Sequence, residues 1–126
     1  VLLMIKRLAA VLPIFLGLSF AEEEKPAAKP EEKLTIVQIM NEAHEKGLLN
    51  RVRYDKATDE EKKRLLTLYL ALQKQTPPQG DKEDWKELTQ KAIDATQAVL
   101  DGKEGAARRI KIAVNCRNCH GLHKPD

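Results

Sequence analysis

The stretch from residue 81 to residue 100, DKEDWKELTQKAIDATQAVL, has the clearest apolar periodicity in the chain. Its apolar residues recur in alternating steps of three and four, the spacing of a helix that packs against other helices. Gly102 is a natural end for this helix because glycine readily adopts the left-handed backbone of a helix C-terminus. The residues of the seam are Trp85, Leu88, Ala92, Ala95 and Val99.

A second helix is predicted just before this one. Residues 58–61, TDEE, form a capping box in which the Thr58 hydroxyl and the Glu61 carboxylate satisfy free amides at a helix start. The helix is expected to end near Gln75, because the two prolines at 77 and 78 lack the amide donor that a helix needs. Its expected buried residues are Leu65, Leu66, Leu68, Tyr69 and Leu72.

Two further amphipathic segments flank this pair. Residues 34–46 are predicted to form a helix that ends at Gly47, and residues 104–123 to form the last helix, while residues 48–57 are expected to be irregular. Aromatic residues make up only 4% of the chain, which also favours an all-α fold. Four helices joined by short loops predict an antiparallel four-helix bundle. The first segment's stripe is Ile36, Met40, Ala43 and Gly47, flanked by Val37 and His44.

The N-terminal segment has the order of an export signal. Lys6 and Arg7 form a basic region, residues 8–18 an apolar region, and small residues lead to an expected cleavage site after Ala21. Residues 1–21 are therefore predicted to be a signal peptide that directs export to the periplasm; an uncleaved membrane anchor is the alternative. Residues 22–33, rich in charge and proline, are predicted to be a flexible linker to a domain at 34–126.

The charge balance excludes some classes of function. Without Lys6 and Arg7, the 22 basic residues become 20 against 19 acidic ones, a net charge near +1. This balance does not favour nucleic-acid binding. The sequence also contains no paired catalytic carboxylates, no nucleophile with an oriented base and no phosphate-binding loop, so it does not favour an enzyme.

The chemistry of the chain is concentrated in residues 116–120, CRNCH. C-x-x-C-H is the spacing with which two thiols add to the vinyl groups of a haem. Residues three apart share a helix face, so Cys116 and Cys119 can both reach the porphyrin while His120 lies beneath the iron. The sequence therefore predicts one covalently attached haem c, with His120 as the proximal iron ligand. Attachment of such a haem outside the cytoplasm agrees with the export signal.

A dithiol has other uses. Cys116 and Cys119 could form a local disulfide or bind zinc together with His123 and with His120 or His44. Zinc sites usually draw ligands from two separated pairs, and the chain contains no second C-x-x-C or H-x-x-x-H pair. A thioredoxin-like redox role is disfavoured because no strand-helix-strand pattern surrounds the cysteines.

The position of the motif adds a resemblance. With C-x-x-C-H at the end of four predicted helices, residues 34–124 resemble the class II c-type cytochromes, the cytochrome c prime superfamily, which are four-helix bundles with this motif near the C-terminus. In that family an aromatic and a basic residue usually follow three and four positions after the histidine. Lys124 matches the basic residue, whereas His123 stands where Tyr or Phe is usual.

The resemblance also implies a distal ligand. Low-spin members of the family use a methionine of the first helix, and Met40 occupies the corresponding place; His44, four residues later, lies on the same predicted face. For isolated Met and His residues, core filling and surface exposure are the ordinary alternatives. Arg108 and Lys124 are candidates for contacts with a haem propionate or edge, and a solvated helix face is the alternative for Arg108.

Three functions follow from these residues. The first is a periplasmic carrier of one electron between redox partner proteins, with His120 and Met40 as axial ligands. The second is a five-coordinate protein that binds nitric oxide or carbon monoxide at an open iron position. The third is a zinc-stabilised or disulfide-linked helical module. The family resemblance further implies that a homodimer is common.

Overall fold

The computed structural model describes residues 33–126, and every regular element in that part of the chain is helical. The expected all-α class is confirmed for these residues. The predicted signal peptide and the predicted linker up to residue 32 lie outside them. No helix within residues 33–126 is long and apolar enough to cross a membrane. The helices are α1 (Ile36–Met40), continued by a π-turn (Asn41–Glu45), α2 (Leu48–Arg53), α3 (Asp59–Lys74), α4 (Lys82–Leu100), α5 (Ala106–Ala113) and α6 (Cys116–His123).

The first helix begins at a capping box and widens into a π-turn. The Thr35 hydroxyl accepts a hydrogen bond from the Gln38 amide at 3.2 Å, and the Gln38 side chain accepts one from the Thr35 amide at 2.8 Å. Beyond α1, the Lys46 amide donates to the carbonyl of Asn41, five residues back, at 2.9 Å. The prediction of one regular α-helix over residues 34–46 is therefore wrong after Met40. The helix does end at Gly47, which has a φ of 77°.

The buried face of this segment differs in part from the predicted stripe. Ala43 is fully buried and Met40 is half-buried, as expected. Val37 is 77% exposed, so its place beside the stripe was wrong. Ile39, which the stripe omitted, is fully buried. Both residues lie in α1, before the π-turn, and the buried face there is defined by Ile39 and Ala43, which are four residues apart.

Residues 48–53 form a helix where irregular chain was predicted. Six residues are too few to display a helical period, and so short a helix is stable only through packing. Leu48, Leu49 and Val52 supply that packing, and all three are buried as expected. Helix α2 is therefore part of the core and is not merely a connection between two helices.

A two-pronged ion pair holds the π-turn against α3. Arg64 Nε donates to Glu42 Oε1 at 2.6 Å, and Arg64 Nη2 donates to Glu42 Oε2 at 2.8 Å. This hydrogen bonding lowers the pKa of the Glu42 carboxyl below its usual value. Paired contacts of this kind define direction as well as distance. The segment that carries Met40 and His44 is thereby oriented by α3.

Helices α3 and α4 are the longest elements, and they pack along each other. The predicted capping box at Thr58 and Glu61 is confirmed, and α3 ends at Lys74 before the two prolines. The indole N–H of Trp85 in α4 donates to the Leu72 carbonyl of α3 at 3.2 Å. Helix α5 also packs on α4, after a turn in which Gly102 has a φ of 69°.

The core lies among α1 to α5. Each buried aliphatic side chain contributes roughly 1.5–3 kcal/mol through removal from water. Most of the residues expected to be buried in α3 and α4 are buried, while Leu66, Leu88 and Ala95 are only partly covered. The largest fully buried side chains are Tyr69, Ile39, Leu65, Leu68, Ile110, His123, Val52 and Thr96.

The prediction of one continuous helix over residues 104–123 is wrong. Helix α5 ends at Ala113, and the next two residues leave the helical conformation, with ψ values of 78° at Val114 and 88° at Asn115. The Asn115 side chain then accepts a hydrogen bond from the Asn118 amide at 3.0 Å and begins α6. Because Val114 is buried, the break lies against the core, and α6 starts in a new direction directly at Cys116.

Candidate functional site

Helix α6 places the three residues of the C-x-x-C-H motif within its first five positions. Cys116 is exposed, Cys119 is half-buried against the core, and both thiols are free. His120 is exposed, and its imidazole makes no hydrogen bond within residues 33–126. The two sulfurs and the imidazole are therefore available for bonds to another molecule.

Cys119 is the more buried thiol of the pair. Burial raises the pKa of the Cys119 thiol, and the neighbouring Cys116 sulfur raises it further. The unbonded Cys119 thiol is therefore protonated at neutral pH. Cys116, the exposed thiol, lies at the first position of α6.

Two hollows flank α6. The first, here called the inner crevice, has a volume of about 40 Å³ and lies between α6 and the faces of α3 and α4. The second, here called the outer cleft, has a volume of about 440 Å³ and lies between α6, α1 and the start of α4. The inner crevice is lined by Met40, His44, Tyr69, Leu72, Leu88, Thr89, Ala92, Ala113, Val114, Asn115, Cys116, Cys119 and His120. The outer cleft is lined by Ile36, Val37, Met40, Asn41, Glu45, Pro78, Trp85, Cys119, His120, His123, Lys124 and Pro125.

Met40, Cys119 and His120 line both hollows. The structure thus brings the predicted distal methionine to the same place as the attachment cysteine and the predicted proximal histidine, although 79 residues separate Met40 from Cys119. The Met40 side chain is half-buried and packs against the core at the end of α1.

His44 lines the inner crevice, and a tyrosine holds its ring. His44 Nε2 and the hydroxyl of Tyr69 share a hydrogen bond of 3.1 Å, with ring centroids 6.0 Å apart. Tyr69 is almost completely buried, as its predicted packing role requires, and burial raises its pKa. Of the two candidates for a distal ligand, His44 has its outer nitrogen already engaged, whereas Met40 carries a thioether that lines both hollows.

The buried setting of His44 predicts a pH dependence of stability. Burial lowers the pKa of His44 from the usual value of about 6.5, and nearby His120 lowers it further. The unfolded chain therefore binds more protons than the folded chain at acidic pH, so stability rises with pH in this window. The melting temperature is expected to fall as the pH is lowered below about 6.5, the usual pKa of histidine. Thermal melts at several pH values, monitored by circular dichroism, measure this slope.

His44→Gln is the matched variant for this prediction, because glutamine has no titration in the window and retains a group that can bond the Tyr69 hydroxyl. A shallower slope in His44→Gln than in the parent is expected. Equal slopes in the two proteins would assign the pH dependence to other groups.

His123 occupies the place where the resembling family has an aromatic residue, and it is buried with 2% of its surface exposed. Its ring meets Trp85 edge-on, with centroids 5.2 Å apart and planes at 87°. Its Nδ1–H donates to the Gln79 carbonyl at 2.9 Å, since a carbonyl can only accept. Its Nε2 is buried and has no hydrogen-bond partner among residues 33–126. The C-terminal end of α6 is thus packed by an imidazole that keeps one nitrogen unpaired within the described residues.

The other predicted contact residues differ in position. Lys124 lines the outer cleft beside His123 and so lies close to the motif. Arg108 is exposed on α5 and lines a separate hollow of about 520 Å³ together with Arg53 and Lys103. The structure does not bring Arg108 to either hollow beside α6.

The residues around α6 fit a covalently attached haem in kind and order. Two free thiols three positions apart precede an unbonded imidazole, and a thioether lies on the facing wall. The outer cleft has the volume of a small-molecule site, roughly 300–1,000 Å³. His123, which also lines this cleft, has a buried Nε2 without a hydrogen-bond partner among residues 33–126. The narrow inner crevice must widen to admit part of a macrocycle.

The zinc alternative requires several suitable ligands in one place. Within residues 33–126, no three His, Cys, Asp or Glu side chains are grouped so that they could hold a metal ion. Structural zinc sites use four such ligands.

Comparisons with known proteins add no relative. No protein-family model, no curated protein and no solved structure matches the chain. The functional proposal therefore depends on the chain's own residues and on the geometry of the region around α6.

Proposed function

We propose that the chain is a c-type cytochrome that carries one electron. Cys116 and Cys119 would hold the haem through thioether bonds, and His120 and Met40 would supply the imidazole and the thioether that bind its iron. The observation that carries the proposal is the meeting of Met40, Cys119 and His120 at the hollows beside α6. The bound haem would supply exchange of one electron between ferrous and ferric iron.

The apolar residues around the motif would influence the reduction potential of the haem. The walls of the inner crevice are mainly apolar, with Leu72, Leu88 and Ala92 opposite α6. Such walls would exclude water from the bound haem and so favour the less charged, ferrous form of its iron, which raises the reduction potential. The pairing of a thioether with an imidazole would also raise the potential relative to two imidazoles, because it favours ferrous iron. No residue of the site is proposed to act as an acid, base or nucleophile.

The architecture and location form part of the same proposal. Packing of α3 on α4 and of α4 on α5 supports an antiparallel bundle of the class II kind, with α1 and its π-turn completing it and the haem on the last helix. Export by residues 1–21 would place the protein in the periplasm, where another redox protein would be its partner. The family resemblance supports a homodimer in the same way.

An absorption spectrum tests the proposal directly. The full chain is expressed with and without the c-type haem maturation machinery, and spectra are recorded oxidised, reduced, and reduced with carbon monoxide. A Soret band that survives denaturation, together with a methionine-to-iron charge-transfer band in the oxidised protein, is expected only with the machinery. The absence of any Soret band would refute the haem proposal. A high-spin spectrum with rapid carbon monoxide binding would instead support the gas-binding function.

A further inference from the structure

Helix α6 is attached to the rest of the protein mainly through its last residue. Of the eight residues from Cys116 to His123, only His123 is buried, and Cys119 is half-buried. The other six side chains are exposed. The buried Val114 anchors the chain just before α6, so His123 is the side chain that anchors the other end.

A turn 44 residues earlier in the sequence receives His123. The His123 ring donates from Nδ1 to the Gln79 carbonyl at 2.9 Å, and the Gln79 side chain donates from Nε2 to the Lys124 carbonyl at 2.9 Å. One residue of the turn thus bonds two successive residues at the end of α6. Trp85, at the start of α4, packs against the edge of the same ring. We define the Gln79–His123 contact as the set of Gln79, Gly80, Trp85, His123 and Lys124.

Gly80 makes this close approach feasible. Its φ is +82°, and a Cβ at this position would lie 2.6 Å from the Leu122 carbonyl oxygen and 2.7 Å from His123 Nδ1. Both distances are shorter than van der Waals contact, and one of the two atoms belongs to the backbone of α6. A larger residue at position 80 must therefore push α6 away from the turn.

We infer that the Gln79–His123 contact positions the iron-binding residues, with His123 as a positioning residue for His120 and Cys119. Cys119 and His123 are four residues apart on α6, which places them on one face, and both line the outer cleft with Met40. A displacement of the C-terminal end of α6 consequently alters how Cys119 and His120 face Met40. The effect on iron ligation depends on the proposed function, whereas the anchoring of α6 does not.

The test compares two glycines that both have a positive φ but differ in the space around an added Cβ. Gly80→Ala introduces a left-handed alanine and the clash with α6, while Gly102→Ala, at φ +69°, introduces the same kind of backbone strain with no atom within 4 Å of the new Cβ. His123→Phe is the second variant, since phenylalanine retains a ring against Trp85 but lacks the Nδ1–H donor. All variants are made in the full chain with haem maturation.

Two measurements separate positioning from general stability. The methionine-to-iron charge-transfer band and the reduction potential report the ligation of iron, and amide hydrogen exchange across residues 117–124 reports the anchoring of α6. Gly80→Ala and His123→Phe are expected to weaken the band and shift the potential, and to accelerate exchange across α6 by about fivefold to tenfold. Gly102→Ala is expected to keep the parental band, potential and exchange in α6.

The outcomes distinguish this inference from the proposed function. Parental exchange across α6 in both Gly80→Ala and His123→Phe would overturn the anchoring, whether or not the protein carries haem. Faster exchange with an unchanged band and potential would reduce His123 to a purely structural role and overturn its positioning role. Absence of a Soret band in every protein, the parent included, would refute the haem proposal. The positioning of iron ligands would then fall with it. The anchoring of α6 would still be decided by the hydrogen-exchange data.

Discussion

Cys119→Ala is expected to remove the haem and to abolish the cooperative thermal transition of the protein. Cys119 is the half-buried sulfur of the pair and packs against the core, next to the wall formed by Met40 and Leu72. Without the haem, the half-buried apolar side chains that line the two hollows, Ile36, Met40 and Leu88, lose an apolar partner, and complete burial of one such side chain is worth about 2 kcal/mol. The whole stability of a domain is only about 5–15 kcal/mol, so a few such losses remove most of it.

The absorption spectrum and the circular dichroism melt of Cys119→Ala measure these two losses. Arg117→Ala is the matched control, because it truncates an exposed side chain of the same helix and leaves both sulfurs, His120 and the packing of the core in place. We expect Arg117→Ala to retain haem and a cooperative melt. A haem-free variant lacking both cysteines that still melts cooperatively as a helical protein would contradict the claim that the haem is needed for the fold.

Met40→Ala is expected to eliminate the methionine-to-iron band and to convert the spectrum from low-spin to high-spin. Alanine has no sulfur to offer to the iron, and the side chain lost lines both hollows beside His120. Carbon monoxide should then bind the reduced protein readily, because the sixth position is open. Spectra of the oxidised, reduced and carbon monoxide-treated variant measure the change.

Ile36→Ala is the matched control for Met40→Ala. Ile36 lies four residues earlier in the first helix and lines the same outer cleft, so its truncation also removes apolar volume but no sulfur. The parental band should persist in Ile36→Ala. Persistence of the band in Met40→Ala would exclude Met40 as its source. A low-spin spectrum without the band in the parent would favour His44, released from Tyr69, as the ligand.

The long helices were predictable because their signals are local. The capping box at Thr58 acts within four residues, and the proline pair after α3 acts through the loss of its own amide donors. The seam of α4 repeats over enough turns to define a period. Trp85, Ala92 and Val99 of that seam are buried as the spacing indicates.

The shorter elements were mispredicted because packing, not periodicity, determines them. The π-turn after Met40 accompanies the Arg64–Glu42 pair, whose partners are 22 residues apart. Helix α2 is too short to be stable without its buried leucines. The break at Val114 interrupts a segment whose spacing is helical throughout, and that spacing carries no signal for the change of direction.

The chemical groups that the motif offers could be predicted from the sequence alone. Cys116, Cys119 and His120 lie within five residues, so their spacing specifies which groups can bond one haem wherever the helix lies. The surroundings of the motif arise only in the folded chain. Met40 approaches Cys119 across 79 residues, and Gln79 bonds His123 across 44. Contacts over such separations form when apolar faces of different helices pack together, and no local pattern in the chain encodes which side chains then meet.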